Sequence, residues 1–483
     1  MFLNRRNRGE GIRRWRKCAL GALAVSLLLA LSLGVVACGG DDEAEQSVMI
    51  VGSAYAVSES LNPNMDQFSF STDDNVYEKL VEYNAQTGEM IPTLAESWDM
   101  SPDGLTWTFH LREGVKFQDG SKFDSEAVKL SWDLGLQGSQ GYKYAAVESA
   151  EATDPMTFVV KLKVGYPILY TISATPFIVS PTAVNKLGDQ AYQPGNGAGT
   201  GPYMLKAVNT TVEATLVRNP DYWGGWEGDR AKAPEVAILR SITEPAVRVQ
   251  NLEQGVIQLM YPTPDSDIER LESTGKFKVY VTNASDQIAA IFNCALAPTD
   301  DVNFRKALYY AMPFQEICDL ACSGYAIPQS GWIAPPQYGY ERQTQEMGLN
   351  TQDMAKAKEY LAKSNYPDGT TVKCVTDNAY TQGMKAMELY KTALAELNIT
   401  LDVQPLDIGV IFQDAMSDSP TNNVVAINEP GLVEGVGTLE MCLGAESAYN
   451  FCEWTSPRID EIIAEAFAAM SIDPDKTVDL LLE

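Results

Sequence analysis

The stretch that decides the fold is Leu94–Val128, which reads LAESWDMSPDGLTWTFHLREGVKFQDGSKFDSEAV. It contains SPDG, a Pro-Asp-Gly turn, followed by LTWTFHL, in which apolar and polar residues alternate with a period of two. This pattern predicts β-strands joined by tight turns. Asp124 and Glu126 near its end predict the start of a helix. The stretch therefore predicts a hairpin region that leads into a helix.

Outward from this stretch, the two halves of the chain follow different patterns. The first half is rich in hairpin signals, although DDNVYEKLVEY at Asp73–Tyr83 predicts a helix that begins at an aspartate cap. In the second half helices alternate with strands, as in KAMELYKTALAELNITLDVQPLD. Such alternation predicts a mixed or parallel sheet with helices on its faces. Two architectures in 483 residues predict two lobes.

The N-terminus has the pattern of an export signal. Residues 1–17 carry seven basic residues and one acidic residue, and residues 18–37 are uncharged and apolar. VVAC at Val35–Cys38, followed by GGDDEAEQ, resembles a bacterial lipobox. Residues 1–37 are thus predicted to be a lipoprotein signal peptide, Cys38 the lipidated residue and residues 38–47 a flexible tether. An uncleaved signal anchor is the alternative, and Arg13–Arg14 leaves Sec and twin-arginine export both open.

The charge of the remaining chain excludes several partners. Without residues 1–37, 29 basic and 63 acidic residues remain, which is a net charge of −34. Such a field repels nucleic acid and anionic lipid head groups. We therefore expect an extracytoplasmic protein that is held at the membrane by lipid on Cys38 and binds no nucleic acid.

Six cysteines remain after Cys18 and Cys38 are set aside. An even number in an exported chain predicts disulfides, although six cysteines allow 15 connectivities. Cys442 and Cys452 flank a short polar loop and are the first predicted pair. CDLAC at Cys318–Cys322 is a weaker candidate for a metal site, because the only histidine, His110, is distant in sequence. No metal and no cofactor are predicted.

The glycine-rich loop YQPGNGAGTGPYML at Tyr192–Leu205 raises the question of a phosphate site. The loop lacks the lysine and Ser/Thr of a P-loop, lacks the spacing of a dinucleotide-binding loop and runs into a strand instead of a helix. The glycines therefore predict positive φ and close backbone approach at a joint between subdomains. Gly199 and Tyr203 are predicted to lie beside a cleft.

Several blocks together resemble one known family, the extracytoplasmic solute-binding proteins of oligopeptide, dipeptide and nickel ABC transporters. The blocks are Leu94–Val128 together with GTGPYML, RNPDYWGG, NLEQGVIQL, FRKALYYAM and AKEYLAKSNYPDG, in the family's order along the mature chain. Each block alone is weak, and their order and spacing carry the resemblance. The lipobox agrees with it, since such proteins are lipid-tethered in cells that lack a confined periplasm.

The resemblance implies a mixed α/β, two-lobed Venus-flytrap fold of the large type, with an extra inserted subdomain. It places the core of the first lobe at residues 48–73 and 194–292, the inserted subdomain at 74–193 and the second lobe at 293–468. Residues 469–483 would begin a return to the first lobe. Because the chain stops inside a helical pattern at TVDLLLE, a C-terminally truncated first lobe is expected.

One departure from the family concerns capture of the peptide amine. In the family an aspartate lies just before an Asn/Gly-x-Pro turn, whereas VVAINEP places Ala426 at that position and Asn423 at that of a tryptophan. An alanine cannot pair with an ammonium group, and a buried unpaired charge is costly. Glu429 and Glu434 are the candidate substitutes.

The function that the resemblance implies is capture of a peptide or peptide-like solute by hinge closure, followed by delivery to an ABC permease. A monomer without enzymatic activity is expected. The alternatives are a surface hydrolase with a site that lacks histidine, and a binding lipoprotein that acts as a sensor or chaperone. The candidate ligand-binding residues are Tyr55, Asn62, Met65, Phe70, Tyr142, Gly199, Tyr203, Trp332, Asn428 and Glu434.

Overall fold

The computed structural model describes residues 47–55, 61–64, 70–84, 89–138, 141–144, 146–166, 168–174, 176–282, 284–335, 337–417, 419–429 and 435–483. Within it, Ser47–Glu483 forms one compact unit. The lipobox with Cys38 and the candidate residues Met65 and Glu434 lie outside the described residues.

The strands are β1 (Val48–Ser53), β2 (Val81–Asn84), β3 (Glu89–Pro92), β4 (Ala95–Met100), β5 (Thr106–Leu111), β6 (Val147–Asp154), β7 (Thr157–Leu162), β8 (Tyr203–Asn209), β9 (Glu213–Arg218), β10 (Val236–Ser241), β11 (Leu259–Tyr261), β12 (Gln287–Phe292), β13 (Thr371–Asp377), β14 (Thr400–Leu406) and β15 (Val424–Glu429). The helices are α1 (Phe70–Val76), α2 (Ser125–Gln137), α3 (Ile168–Ala174), α4 (Pro181–Leu187), α5 (Pro245–Glu253), α6 (Ile268–Ser273), α7 (Val302–Ala311), α8 (Phe314–Glu316), α9 (Tyr340–Met347), α10 (Met354–Lys363), α11 (Thr381–Ala395), α12 (Ile408–Ala415), α13 (Gly435–Leu443), α14 (Pro457–Met470) and α15 (Pro474–Leu482). A π-helical turn follows α8 at Ile317–Ala321.

The first sheet has the strand order β11-β1-β10-β9-β8. β1 is parallel to both of its neighbours, and β8 and β9 form an antiparallel hairpin beside β10. The C-terminal ends of β1, β10 and β11 therefore lie at the same edge.

The predicted inserted subdomain contains the antiparallel sheet β4-β5-β7-β6 and the hairpin β2–β3. Alternate residues of β5, including Trp107 and Phe109, are buried as their period-two pattern predicts. The predicted start of α2 is also confirmed, because the Asp124 carboxylate accepts from the Ala127 N–H at 3.2 Å. These residues form one core together with Trp132 of α2.

The predicted helix over Asp73–Tyr83 is wrong at its start and in its second half, because α1 begins at Phe70 and Asp73 lies within its first turn instead of capping it. α1 ends at Val76, and Val81 begins β2. The carbonyl oxygen of Leu80 accepts from the N–H groups of Thr93 and Ala95 at 3.2 and 2.9 Å. Pairing with this distant segment replaces the local helical hydrogen bonds and still buries Leu80 and Val81.

The second sheet has the strand order β12-β15-β13-β14, in which β12 alone is antiparallel to its neighbour. This confirms the mixed sheet predicted for the second half. Residues 287–292 form β12, which pairs with β15, and residues 474–482 form α15, which packs on α14 through Val478 and Leu481, while the predicted bounds of the lobes stay a prediction.

Candidate functional site

Two exposed tyrosines lie beyond neighbouring strand ends of the first sheet. Tyr55 follows β1 and Tyr261 ends β11, and their ring centroids lie 6.1 Å apart with an interplanar angle of 41°. The Ala54 N–H donates to the Tyr261 carbonyl oxygen at 2.9 Å, which fixes the two segments side by side. The tyrosines are 53% and 56% exposed, so the pair forms an accessible aromatic surface. Open sheets with parallel strands bind ligands at this edge.

The buried side chain of Arg248 stabilises the same edge of the first sheet by hydrogen bonds. The Arg248 guanidinium of α5 donates from Nη1 to the Ile242 carbonyl oxygen at 2.6 Å and from Nη2 to the Pro262 carbonyl oxygen at 3.2 Å. These acceptors follow β10 and β11, so one side chain holds both strand ends together. Burial lowers the pKa of Arg248, and the nearby Tyr55 opposes that shift.

The second sheet carries another predicted site residue. Asn428 near the end of β15 is exposed and pairs with Ile288 of β12. Asp286 lies just before β12. Burial first, and then the charges of Tyr261 and Asp286, raise the pKa of the Tyr55 hydroxyl. Tyr55 therefore lies near the segment that leads into β12.

A hydrogen bond links the turn after β11 to α11, the helix that packs on β13 and β14. Nε2 of Gln382 on α11 donates to Oδ2 of Asp265, in the turn after β11, at 3.2 Å. Tyr380 lies just before α11, and burial, followed by Cys322, Asp286 and Asp265, raises its pKa. The charge of Asp286 thus affects both Tyr380 and Tyr55, and the Gln382–Asp265 hydrogen bond links the same two regions directly.

Sequence patterns did not indicate Tyr261, Arg248 or Tyr380 as site residues. The only available signal was their position, since Tyr261 ends a strand of a parallel group and Tyr380 precedes a helix that follows β13. Neither signal is specific, because many tyrosines occupy strand and helix ends for packing reasons.

The predicted site residues lie in several different parts of the fold. Tyr55 lies at the edge of the first sheet and Asn428 near the end of β15. Trp332 is half-buried, and its carbonyl oxygen would lie 2.9 Å from a Cβ at Gly435, so it flanks the start of α13. Asn62 accepts from the Asn64 N–H at 3.1 Å and stabilises a turn. Phe70 begins α1 and Tyr142 lies in the 3-10 turn Gly141–Tyr144, with side chains outside the described residues.

Gly199 and Tyr203 have packing contacts instead of an open cleft around them. A Cβ at Gly199 would lie 2.0 Å from the Val76 carbonyl oxygen, which confirms the predicted close backbone approach. The Tyr203 hydroxyl donates to the Pro234 carbonyl oxygen at 2.6 Å, and its ring packs on Trp226 at 5.7 Å. The pocket beside the glycine loop has a volume of only about 60 Å³. Positive φ at Gly195 and Gly197 is also confirmed.

Ala426 and Asn423, where the sequence departs from the family, are both buried in the structure. Ala426 is fully buried in the core of the second sheet, where it pairs with Ala290 and Thr376. Asn423 is also buried, and its side-chain amide donates to the Ala297 carbonyl oxygen at 3.0 Å while accepting from the Lys373 N–H at 3.1 Å. Position 426 therefore carries no charge toward a solute, and Asn423 fixes local structure.

The cysteines show no ligand geometry among the described residues. Burial raises the pKa of the Cys318 and Cys322 thiols, the second to about 11, which disfavours the thiolate that a metal requires. No group of three or more His, Cys, Asp or Glu residues is placed to hold a metal in the described part of the chain. The Cys452 sulfur lies 3.8 Å from the Cys442 carbonyl oxygen, without a disulfide between the two residues. Their pairing stays a prediction.

Comparison with known proteins shows the family of this chain. Residues 89–425 match the model of the bacterial extracellular solute-binding proteins, family 5. The chain belongs to this family. Glutathione-binding protein GsiB of Salmonella paratyphi A is 29% identical over 373 residues, covering 76% of this chain and 70% of that protein. GsiB of Escherichia coli O6:K15:H31 is 26% identical, with coverage of 88% and 83%.

Solved structures share the two-lobed fold at lower identity. The substrate-binding protein CtaP of Listeria monocytogenes superimposes with a TM-score of 0.78 at 20% identity, covering 90% of this chain and 89% of that one. DppA of Helicobacter pylori, solved with the peptide STSA, gives 0.71 at 22% identity, with 90% of each chain covered. NikA of Brucella suis, solved with Fe(III)-EDTA, gives 0.75 at 22% identity and the same coverage. The predicted mixed α/β, two-lobed fold is confirmed.

The family assignment decides against the hydrolase alternative. The relatives are solute-binding proteins and not enzymes, so the hydrolase alternative is set aside and the expectation of a non-enzymatic protein is confirmed. The chain is therefore a substrate-binding protein of an ABC importer. The described residues include no helix long and apolar enough to cross a bilayer.

Proposed function

We propose that this protein is held at the extracytoplasmic face of the cell membrane by lipid on Cys38 and captures a peptide or peptide-like solute. The solute binds between the two sheets, the lobes close on it by a hinge motion, and a monomer delivers it to an ABC permease. The export pattern and lipobox of the sequence support the anchor, and the family assignment supports the transport role.

The observation that carries the binding proposal is the exposed pair Tyr55–Tyr261 at the edge of the first sheet, where Arg248 holds the ends of β10 and β11 together. Tyrosine rings provide apolar area, hydroxyl groups and little conformational freedom, which suits a peptide-like solute. Asn428 adds an exposed amide near the end of β15. Met65, Phe70, Tyr142, Trp332 and Glu434 remain proposed ligand residues.

The chemistry at position 426 narrows the solute class. A buried alanine cannot receive a free α-ammonium group, so Glu429 or Glu434 supplies that charge, or the solute lacks a free amine at this position. The relatives are consistent with a range of peptide-like solutes, since one is named for glutathione and another was solved with a tetrapeptide. A chelated metal is a further candidate solute, in view of NikA with Fe(III)-EDTA.

The proposal is tested by identifying what the protein carries. Mass spectrometry of material released from purified protein should reveal a peptide-like solute. Calorimetry with that solute should then show tight binding by the wild type and at least about tenfold weaker binding by Tyr55→Ala, because about 1.4 kcal/mol of contact energy corresponds to tenfold. Tyr309→Ala, an exposed tyrosine on α7, serves as the matched control. Equal binding by Tyr55→Ala and wild type would exclude the proposed aromatic wall.

A further inference from the structure

Two hydrophobic cores meet at one side chain, Tyr166, in the segment between β7 and α3. Tyr166 packs against the core of the inserted subdomain and also against the core that α13, α14 and α15 form. Its ring centroid lies 5.4 Å from that of Phe467, with the ring planes inclined by 34°. A single residue of the inserted subdomain thus contacts α14 directly.

The residue before it approaches the same helix by its backbone. A Cβ at Gly165 would lie 2.4 Å from the Ala468 Cα and 3.1 Å from the Ala468 carbonyl oxygen. Both neighbours are backbone atoms, which cannot rotate away as a flexible side chain can. Gly165 is not among the glycines with positive φ, so its own backbone would accept an alanine. The contact with Ala468, and not the local conformation, therefore accounts for glycine here.

A second loop of the inserted subdomain reaches the same helix pair. A Cβ at Gly104, in the SPDG turn between β4 and β5, would lie 3.3 Å from Cγ2 of Ile472. Ile472 joins α14 to α15 and is 51% exposed. The helix pair is therefore contacted at two separate loops, by few side chains in each case. Small contacts of this kind leave relative motion of the two parts as the default.

We propose that Gly165 and Tyr166, with Phe467 and Ala468, form a latch that holds the inserted subdomain against α14 when the lobes are closed. The lobes cannot separate at this side without breaking the ring contact and the backbone contact. The latch therefore adds to the free energy of the closed state and raises its population before a solute binds. The inference rests on the proposed hinge closure but concerns contacts within the protein itself.

The test is small-angle scattering of the ligand-free protein that carries Gly165→Ala, a change that adds one methyl group at the contact with Ala468. Gly165→Ala should shift the radius of gyration to a larger value, because its methyl group meets the Ala468 backbone in the closed state. Val164→Ala, at the neighbouring residue that is 59% exposed, is the matched control and should scatter as the wild type does. Circular dichroism should show unchanged secondary structure in both.

A second variant keeps the test decisive if Gly165→Ala does not fold. Ile472→Asp changes an exposed residue of the helix pair and should also increase the radius of gyration. A wild-type radius in every folded member of this pair would overturn the latch. Because no solute is present, failure to bind peptides would contradict the proposed function without affecting this result, and an unchanged radius would contradict the latch alone.

Discussion

At the scale of the residue, Glu78 joins two parts of the sequence that are far apart. This buried carboxylate accepts from the Tyr222 hydroxyl at 2.9 Å and from Nε1 of Trp223 at 2.7 Å. The Arg112 guanidinium lies 4.6 Å from the centroid of the Trp223 ring. RNPDYWGG, one of the blocks that carry the family resemblance, contains both of these aromatic residues, and they bind the Glu78 carboxylate. One carboxylate therefore links the inserted subdomain to the first lobe.

Glu78 makes stability depend on pH. Burial raises its pKa above the ordinary value of 4.5, although the hydrogen bonds to Trp223 and Tyr222 act in the opposite direction. The contribution of Glu78 to the free energy of unfolding is therefore fully present below its pKa in the unfolded chain. It is lost as the pH rises through its higher pKa in the folded protein. We expect Glu78→Gln, whose amide can satisfy both partners, to gain stability relative to the wild type between about pH 4 and neutral pH. Urea unfolding across that range, with exposed Glu96→Gln as control, measures this, and a pH-independent difference would contradict it.

Arg248 gives a second prediction at this scale. Removing its side chain leaves the buried carbonyl oxygen of Ile242 without its donor, and such an unsatisfied group costs about 1–3 kcal/mol, while the carbonyl oxygen of exposed Pro262 can turn to water. We expect Arg248→Ala to lower the free energy of unfolding by about 2–4 kcal/mol. Arg240→Ala, which breaks only the partly exposed ion pair with Glu213, should cost less than about 1 kcal/mol. Equal costs for the two variants in urea unfolding would be incompatible with the role given to Arg248.

At the scale of the element, local signals predicted those parts of the fold that local forces determine. The Asp124 cap, the alternating pattern of β5 and the positive φ of Gly195 are properties of a few neighbouring residues, and the structure contains all three. The helix expected over Asp73–Tyr83 failed because Leu80 hydrogen-bonds to residues beyond β3. The pairing of β12 was not predictable for a similar reason, since its partner β15 follows more than 130 residues later.

The cap of α2 provides a test at this scale. Asp124 accepts from the Ala127 N–H and lies next to the buried core around Trp132. Asp124→Ala should lower the free energy of unfolding by about 1 kcal/mol, and Asp124→Asn should retain most of it, because asparagine caps as well as aspartate. Chemical denaturation of the three proteins measures this. A full loss in Asp124→Asn would show that charge, and not capping, is responsible.

At the scale of the whole molecule, the fold was predictable from the order of sequence blocks, whereas the candidate site was only partly so. Tyr55 lies beside Tyr261 at the edge of the first sheet and Asn428 near the end of β15, whereas Tyr203 packs on Trp226, and Tyr261 and Tyr380 come near this region only through tertiary contacts. Residues that are far apart in sequence carry no local pattern that predicts their contact in the folded chain. The site therefore depends on tertiary geometry more than the fold does.

The proposed membrane anchor also belongs to this scale. Cys38→Ser removes the thiol that would carry the lipid, and about 0.8 kcal/mol of membrane affinity is lost for each CH₂ that no longer enters the bilayer. We expect the variant to move from the membrane fraction to the soluble fraction and to lose incorporation of labelled fatty acid, with solute affinity unchanged. Cys442→Ser is the control. Membrane retention of Cys38→Ser would favour the uncleaved signal anchor instead.

The central claim is that a solute is bound between two lobes that close on it. Small-angle scattering of ligand-free protein, titrated with glutathione and with di- to tetrapeptides, tests this claim directly. We predict that at least one of these solutes lowers the radius of gyration in a saturable manner, and that Tyr55→Ala requires at least about tenfold more solute for the same change. A radius that stays constant with every solute, although the protein is folded, would contradict the account.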